Sequence, residues 1–85
     1  MNPQSLDTVQ RLAAETLHLP LEDMTPTVTF REAGIDSLST IDLVFAVEGH
    51  FDIILPPEEL QHLHSLCDLA ASVDRLTARE ARRYG

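Results

Sequence analysis

Lysine is absent from this sequence of 85 residues, and basic side chains are scarce: there are six arginines and 14 aspartates and glutamates, giving a formal net charge of −8. A protein that binds DNA or RNA needs a basic surface to displace the counterions around phosphates, so nucleic acid is not expected as a partner. The charge is uneven, since residues 1–74 hold 13 of the acids and two arginines, whereas residues 75–85 hold four arginines and one acid. This acidic body predicts partners with basic surfaces and a monomeric state.

Cysteine and long apolar runs are also nearly missing. The single Cys67 cannot form an internal disulfide, and its apolar neighbours favour a buried structural thiol. No apolar run has the length of a signal peptide or of a transmembrane helix. We therefore expect a cytoplasmic protein with no membrane insertion.

The chain is also short. A single domain of 85 residues leaves little room for the deep cleft and the supporting residues that most enzymes require. We therefore expect the protein not to be an enzyme but to act as a partner or a substrate of other proteins.

Apolar residues recur with helical spacing in four segments, which predicts an all-α fold, a small four-helix bundle. We expect helix 1 over residues 4–18, helix 2 from Asp36 to about His50, a short helix 3 that begins at Pro57 and ends between residues 62 and 65, and helix 4 from residue 66 to 77 or slightly beyond. The domain then covers residues 1–78, and the basic tail, residues 79–85, either extends helix 4 or frays.

A long ordered loop is expected between helices 1 and 2, because Pro20 ends helix 1 and residues 21–34 show no sustained period. Loops of this length in compact domains tend to be functional. We expect four apolar side chains to hold this loop against the core: Leu21, Met24, Val28 and Phe30.

One serine lies where this loop gives way to helix 2, in the pentapeptide Gly34-Ile35-Asp36-Ser37-Leu38. Gly34 can adopt the left-handed backbone that closes a turn, and Asp36 or Ser37 can cap the N–H groups of the helix. The helix dipole and those N–H groups favour a negative group on the serine oxygen. A plain helix cap would use the same residues, so the pentapeptide alone leaves both interpretations open.

Helix 2 carries apolar residues on two sides. Leu43, Val44, Val47 and Phe51 form a stripe suited to the core. At about 100° per residue a second stripe lies on the opposite side, with one carboxylate on each flank. This second stripe consists of Leu38, Ile41 and Phe45, flanked by Asp42 and Glu48. An exposed apolar stripe with an acidic rim has the composition of a docking face.

Three other interpretations compete. An enzyme would use Ser37 as nucleophile with one of the four histidines as base, but the chain lacks the Gly-x-Ser-x-Gly elbow. A metal site could use His62, His64 and Cys67, although no fourth ligand is evident. The serious alternative is an unmodified, acidic helical interaction module in which Ser37 only caps helix 2.

With its serine in this setting, the chain resembles an acyl carrier protein from helix 1 to about Leu76. The motifs are Asp36-Ser37-Leu38 preceded by Gly34, and then Phe51-Asp52 and residues 54–60, Ile-Leu-Pro-Pro-Glu-Glu-Leu, at the family's spacing. The resemblance implies that Ser37 Oγ receives 4′-phosphopantetheine from coenzyme A, through a separate magnesium-dependent transferase. The distal thiol then carries acyl or aminoacyl groups as thioesters.

The resemblance also implies roles for neighbouring residues. Asp36 would serve during the transfer, by pairing with a cation or a basic residue of the transferase, and Leu38 and the rest of the second stripe match the family's partner-facing surface. Phosphopantetheinyl transferase and the acyl-loading and acyl-processing enzymes would present basic patches with apolar centres. Ser39, Gly49 and His50 occupy positions that are often acidic in fatty-acid carriers. This difference favours a specialised carrier of a dedicated pathway, such as a polyketide, lipid-modifying or aminoacyl route, over the central fatty-acid cycle.

Overall fold

Four α-helices account for most of the chain in the computed structural model, which describes the backbone of residues 3–84 and the side chains of residues 4–78. They are α1 (Pro3–Leu17), α2 (Ser37–Phe51), α3 (Pro57–Leu60) and α4 (Leu66–Tyr84). No strand occurs within residues 3–84, where the only β-type pairing is an isolated bridge between Thr29 and Ser65. The all-α fold predicted from the sequence is confirmed.

Helix α1 packs against both α2 and α4, and these three long helices enclose the core. The most deeply buried side chains come from all three helices and from the loop: Val9, Met24, Leu43, Val47, Leu66, Leu69 and Val73. In α2 the buried residues are Leu43, Val44 and Val47, which confirms the predicted core stripe, while Phe51 is half-buried against the core.

Loop residues 18–36 join α1 to α2 and contain a short 3₁₀ turn, Leu21–Asp23. Met24 and Phe30 are buried, as predicted, and Gln10 Nε2 of α1 donates a hydrogen bond to the Met24 carbonyl at 2.8 Å. Leu21 is 54% exposed, so its predicted contact with the core is wrong, and Val28 is only half-buried. Met24, at 1% exposure, enters the core just after the 3₁₀ turn, whereas Leu21 stays at the surface.

Helices α3 and α4 end at other residues than the sequence predicts. Helix α3 has only four residues and ends at Leu60, after Pro57 at its first position. Helix α4 continues through residue 78 to Tyr84 without interruption, so the tail extends the helix rather than fraying. The start of α4 is held by a reciprocal cap, in which Ser65 Oγ accepts from the Asp68 N–H and Asp68 Oδ2 accepts from the His64 N–H.

Candidate functional site

The approach to α2 is a tight turn built around Gly34. Its φ of 77° lies in the left-handed region, and its N–H donates to the Arg31 carbonyl at 3.1 Å. The next N–H, of Ile35, donates to the Phe30 carbonyl at 2.8 Å, and the Ile35 side chain is buried. A residue with a Cβ is disfavoured at this φ, so glycine here lets the chain turn directly into the helix.

Asp36 is the N-cap of α2. Its Oδ1 accepts a hydrogen bond from the Ser39 N–H at 2.8 Å, and its carbonyl accepts from both the N–H and the Oγ1 of Thr40. The Ser39 N–H stabilises the charged carboxylate, which lowers the pKa of Asp36 below its ordinary value. Of the two residues that the sequence offered as caps, Asp36 is therefore the one that performs this role.

Ser37 is the first residue of α2 and is exposed to solvent. None of the hydrogen bonds among the described residues engages its hydroxyl, because Asp36 has taken over the capping. The oxygen is thus open to an incoming reagent at the positive end of the helix dipole, and the geometry suits a covalent negative group.

The loop that leads to this serine is bound to the start of α4. The Phe30 N–H donates to the His64 carbonyl at 2.8 Å, and the Cys67 N–H donates to the Pro26 carbonyl at 3.0 Å. The bridge between Thr29 and Ser65 lies between these two contacts. The loop before Ser37 is therefore fixed to the start of α4, and we expect little freedom in its backbone.

The second stripe of α2 is exposed. Leu38 is 75% exposed, Ile41 48% and Phe45 65%, and Asp42 beside them is exposed as well. We call these three apolar residues the exposed strip. They begin immediately after Ser37 and continue along the helix, so a protein that binds the strip also lies over the serine.

Glu48 and Ile54 take positions that the sequence did not indicate. Glu48 is half-buried, and its Oε2 accepts a hydrogen bond from the Leu55 N–H at 2.8 Å, so it is more than a free carboxylate on the rim. Ile54 is 82% exposed between the buried Ile53 and Leu55. Residues 53–55 alternate between buried and exposed, but all three are apolar, so no alternation in the sequence placed Ile54 on the surface.

The chain is similar in sequence to known proteins. A family model described as phosphopantetheine attachment site matches residues 7–73. An acyl carrier protein of Akkermansia muciniphila is 34% identical to the chain over 71 residues, which cover 82% of the chain and 89% of that protein.

The chain belongs to the acyl carrier protein family. Its cofactor is covalently attached 4′-phosphopantetheine, and members of this family are carriers rather than catalysts, so the enzyme interpretation is wrong. The residues present fit the cofactor, since an exposed serine oxygen at a helix N-terminus can form a phosphodiester without burying its charge.

The remaining candidates have no part in this site. Within the described part of the chain, no group of three or more metal-ligating side chains is placed to hold an ion, and His62, His64 and Cys67 form no such group. Cys67 is half-buried rather than buried as predicted, and it is free. Among the described helices, none combines the length and the apolar character that crossing a bilayer requires.

Proposed function

We propose that this carrier is modified at Ser37, whose Oγ receives 4′-phosphopantetheine from coenzyme A through a separate phosphopantetheinyl transferase. The observation that carries this proposal is the exposed Ser37 at the first position of α2, with Asp36 as the cap and the serine oxygen free of the hydrogen bonds described. When bound, the cofactor supplies a thiol that carries acyl or aminoacyl groups as thioesters between partner enzymes.

The exposed strip is proposed as the docking surface for those partners. Three apolar side chains next to the modified serine can enter the apolar centre of a partner's contact patch, and the exposed Asp42 can pair with its basic rim. The net charge of −8 supports basic partners, a monomeric state and attraction over distance. Such attraction weakens as salt rises, because exposed charges are screened over about 8 Å at physiological ionic strength.

A dedicated pathway is proposed rather than the central fatty-acid cycle. Ser39, Gly49 and His50 supply no carboxylate at positions where the resemblance leads us to expect acids, and Phe45 is bulkier than the residue usual on this surface. We also propose a cytoplasmic location, which the lone, unpaired Cys67 supports. The carrier domain is proposed to cover residues 1–78, which include the family match at 7–73, and residues 79–85 are proposed as a basic tail into which α4 continues as far as Tyr84.

Intact-mass measurement tests the modification. The purified protein is incubated with coenzyme A, magnesium and a broad-specificity phosphopantetheinyl transferase, and we expect the mass to rise by one phosphopantetheinyl group. Ser37→Ala should abolish the gain while the helical circular dichroism is unchanged. Ser39→Ala is the matched control, since Ser39 lies in the same helical turn and should leave the modification intact.

Two results would contradict the proposal. If Ser39→Ala rather than Ser37→Ala abolished the gain, the attachment site would be wrong. If the wild-type protein stayed unmodified while the same transferase modified a known carrier, the unmodified interaction module would be the better account.

A further inference from the structure

Glu48 binds the segment that follows α2 at two points. Its side-chain Oε2 accepts from the Leu55 N–H at 2.8 Å, and its carbonyl accepts from the Ile53 N–H at 3.1 Å. The Asp52 N–H donates to the same carbonyl, with Asp52 itself in the left-handed conformation that ends the helix. One residue of α2 thus accepts hydrogen bonds from three backbone N–H groups of the segment that follows, those of Asp52, Ile53 and Leu55.

This double attachment fixes how Ile54 is presented. Ile53 and Leu55 point into the core, at 7% and 4% exposure, and Ile54 between them is the most exposed large apolar residue among those described. Ile53 and Leu55 are buried and their N–H groups are hydrogen-bonded, so this short segment has little freedom to turn the Ile54 side chain inward.

Helix geometry brings this segment next to the exposed strip. Glu48 lies three residues after Phe45 and seven after Ile41, so it shares their side of α2 one turn further on. Because Leu55 is within hydrogen-bond distance of the Glu48 carboxylate, Ile54 lies beside the end of the strip that is farthest from Ser37.

We propose that Glu48 is a positioning residue for the docking surface: its carboxylate holds residues 53–55 so that Ile54 extends the exposed strip, rather than pairing with a basic residue of the partner. This inference rests on the proposed function, and it commits to one occupant, a partner enzyme whose contact patch is apolar at its centre and basic at its rim. The acidic charge of this chain and the apolar character of Leu38, Phe45 and Ile54 are the complement of that patch.

Asp42 and Glu48 therefore have different roles, although both are acids on the same helix. Asp42 is exposed, as a rim charge must be. Glu48 is half-buried with one oxygen already bonded to the backbone, so drawing it to a partner's arginine would leave the Leu55 N–H without its acceptor.

Two substitutions at one position separate these roles. Glu48→Gln removes the charge but keeps an oxygen that can accept from the Leu55 N–H, whereas Glu48→Ala removes both. Asp42→Asn is the matched control, because it removes the same charge from the exposed rim. Each variant is made in the full chain, and kcat/KM for modification by the phosphopantetheinyl transferase is measured at several salt concentrations.

The first readout does not involve a partner. Hydrogen exchange of the Leu55 amide, followed by NMR, should accelerate about tenfold in Glu48→Ala, since one hydrogen bond is lost, and should change little in Glu48→Gln. Unchanged exchange in Glu48→Ala would overturn the inference whatever the transferase does.

The second readout is docking. We expect kcat/KM to fall about tenfold in Glu48→Ala with an unchanged salt dependence, and to stay within about threefold of wild type in Glu48→Gln, while Asp42→Asn flattens the salt dependence. In the background of Ile54→Ala, Glu48→Ala should cost almost nothing further, because the two act as one unit. If Glu48→Gln behaved like Asp42→Asn, Glu48 would be a rim charge and the inference would be wrong. If the wild type were not modified at all, the proposed function would fail instead, and Leu55 exchange would still report on the contact.

Discussion

Glu59 on α3 and Arg75 on α4 form a two-point ion pair, with Arg75 Nη2 at 2.7 Å from Glu59 Oε2 and Arg75 Nε at 3.0 Å from Glu59 Oε1. The buried Ser72 hydroxyl also donates to Glu59 Oε2, at 3.3 Å. A helix of four residues has no stability of its own, so the position of α3 depends on contacts such as this one. The carboxylate raises the pKa of Arg75 above its usual value, and the arginine stays charged at any pH at which the protein folds.

Removing this carboxylate should loosen α3. We expect Glu59→Ala to lower the free energy of unfolding by about 1 kcal/mol, since a partly exposed bidentate pair is lost and the Ser72 hydroxyl loses its acceptor. Urea denaturation measures the change. Glu58→Ala is the control, because Glu58 is exposed on the same short helix and should have an effect under about 0.5 kcal/mol. Equal effects of the two variants would mean that the ion pair contributes nothing to α3.

The two sides of α2 should respond differently to truncation. Leu43→Ala opens a cavity in the core and should cost about 2–5 kcal/mol of unfolding free energy. Phe45→Ala removes an exposed side chain and should cost under about 0.5 kcal/mol, yet it should lower kcat/KM with the transferase. Thermal or urea denaturation of the two variants, side by side, checks this. A Phe45→Ala protein as unstable as Leu43→Ala would show that the exposed strip belongs to the core.

The Asp36 cap should make stability depend on pH in acid. The pKa of Asp36 is lowered in the folded state by the Ser39 N–H, so the charged cap contributes fully above the unfolded pKa, about 3.9, and its contribution is lost as pH falls through the lower folded pKa. The difference in unfolding free energy between wild type and Asp36→Ala should therefore be constant near neutral pH and should fall in strong acid to the part that an uncharged cap contributes. Urea denaturation as a function of pH measures it, and a difference that grew toward acid would contradict the cap.

Asparagine at this position separates the cap from the charge. Asn caps helices about as well as Asp, so Asp36→Asn should keep the wild-type stability at neutral pH. If Asp36 pairs with a cation or a basic residue during transfer, as the resemblance implies, the same variant should lower kcat/KM for phosphopantetheine transfer. A full transfer rate in Asp36→Asn would limit Asp36 to its structural role.

Replacing Gly49 and Gly34 by alanine should change the stability of the protein in opposite directions. Gly49 is an exposed residue inside α2, and a Cβ there would meet no atom within 4 Å, so Gly49→Ala should stabilise the protein by about 0.5–1 kcal/mol. Gly34 also has open space, but its φ of 77° strains any other residue, and Gly34→Ala should destabilise by about 1 kcal/mol. Melting temperatures of both variants decide the matter, and a destabilising Gly49→Ala would contradict the helical account of residue 49.

Features that depend on neighbours in the sequence were predictable. The start of α2 and its core stripe follow from Gly34, Asp36 and the spacing of Leu43 and Val47, because turns and periodicity are local properties. The sequence leaves the cap open between Asp36 and Ser37, and the structure decides for Asp36. The same local periodicity predicts an end of α4 near residue 77, which is too early. The apolar period stops at Leu76, but the alanines and charged residues that follow are good helix formers, so the helix continues to Tyr84.

Features that depend on contacts between distant segments were not predictable. The hydrogen bond from Leu55 to Glu48 joins a helix to the segment after it, and periodicity on α2 alone makes Glu48 look like a rim acid. Leu21 is predicted to contact the core because its side chain is large and apolar. In the structure Met24 is buried instead, and Leu21 is exposed. In such cases the role of a side chain depends on which other segment of the chain packs against it.

The attachment of the serine turn to the start of α4 has a consequence for the order of events in the cell. Phe30 and Pro26 find their hydrogen-bond partners at His64 and Cys67, in the last third of the chain. During synthesis His64 and Cys67 leave the ribosome after Ser37 does, so the loop before the serine lacks these hydrogen-bond partners until both residues have emerged. We expect loading with the cofactor to wait for these residues, so that a nascent chain that ends before them does not consume coenzyme A.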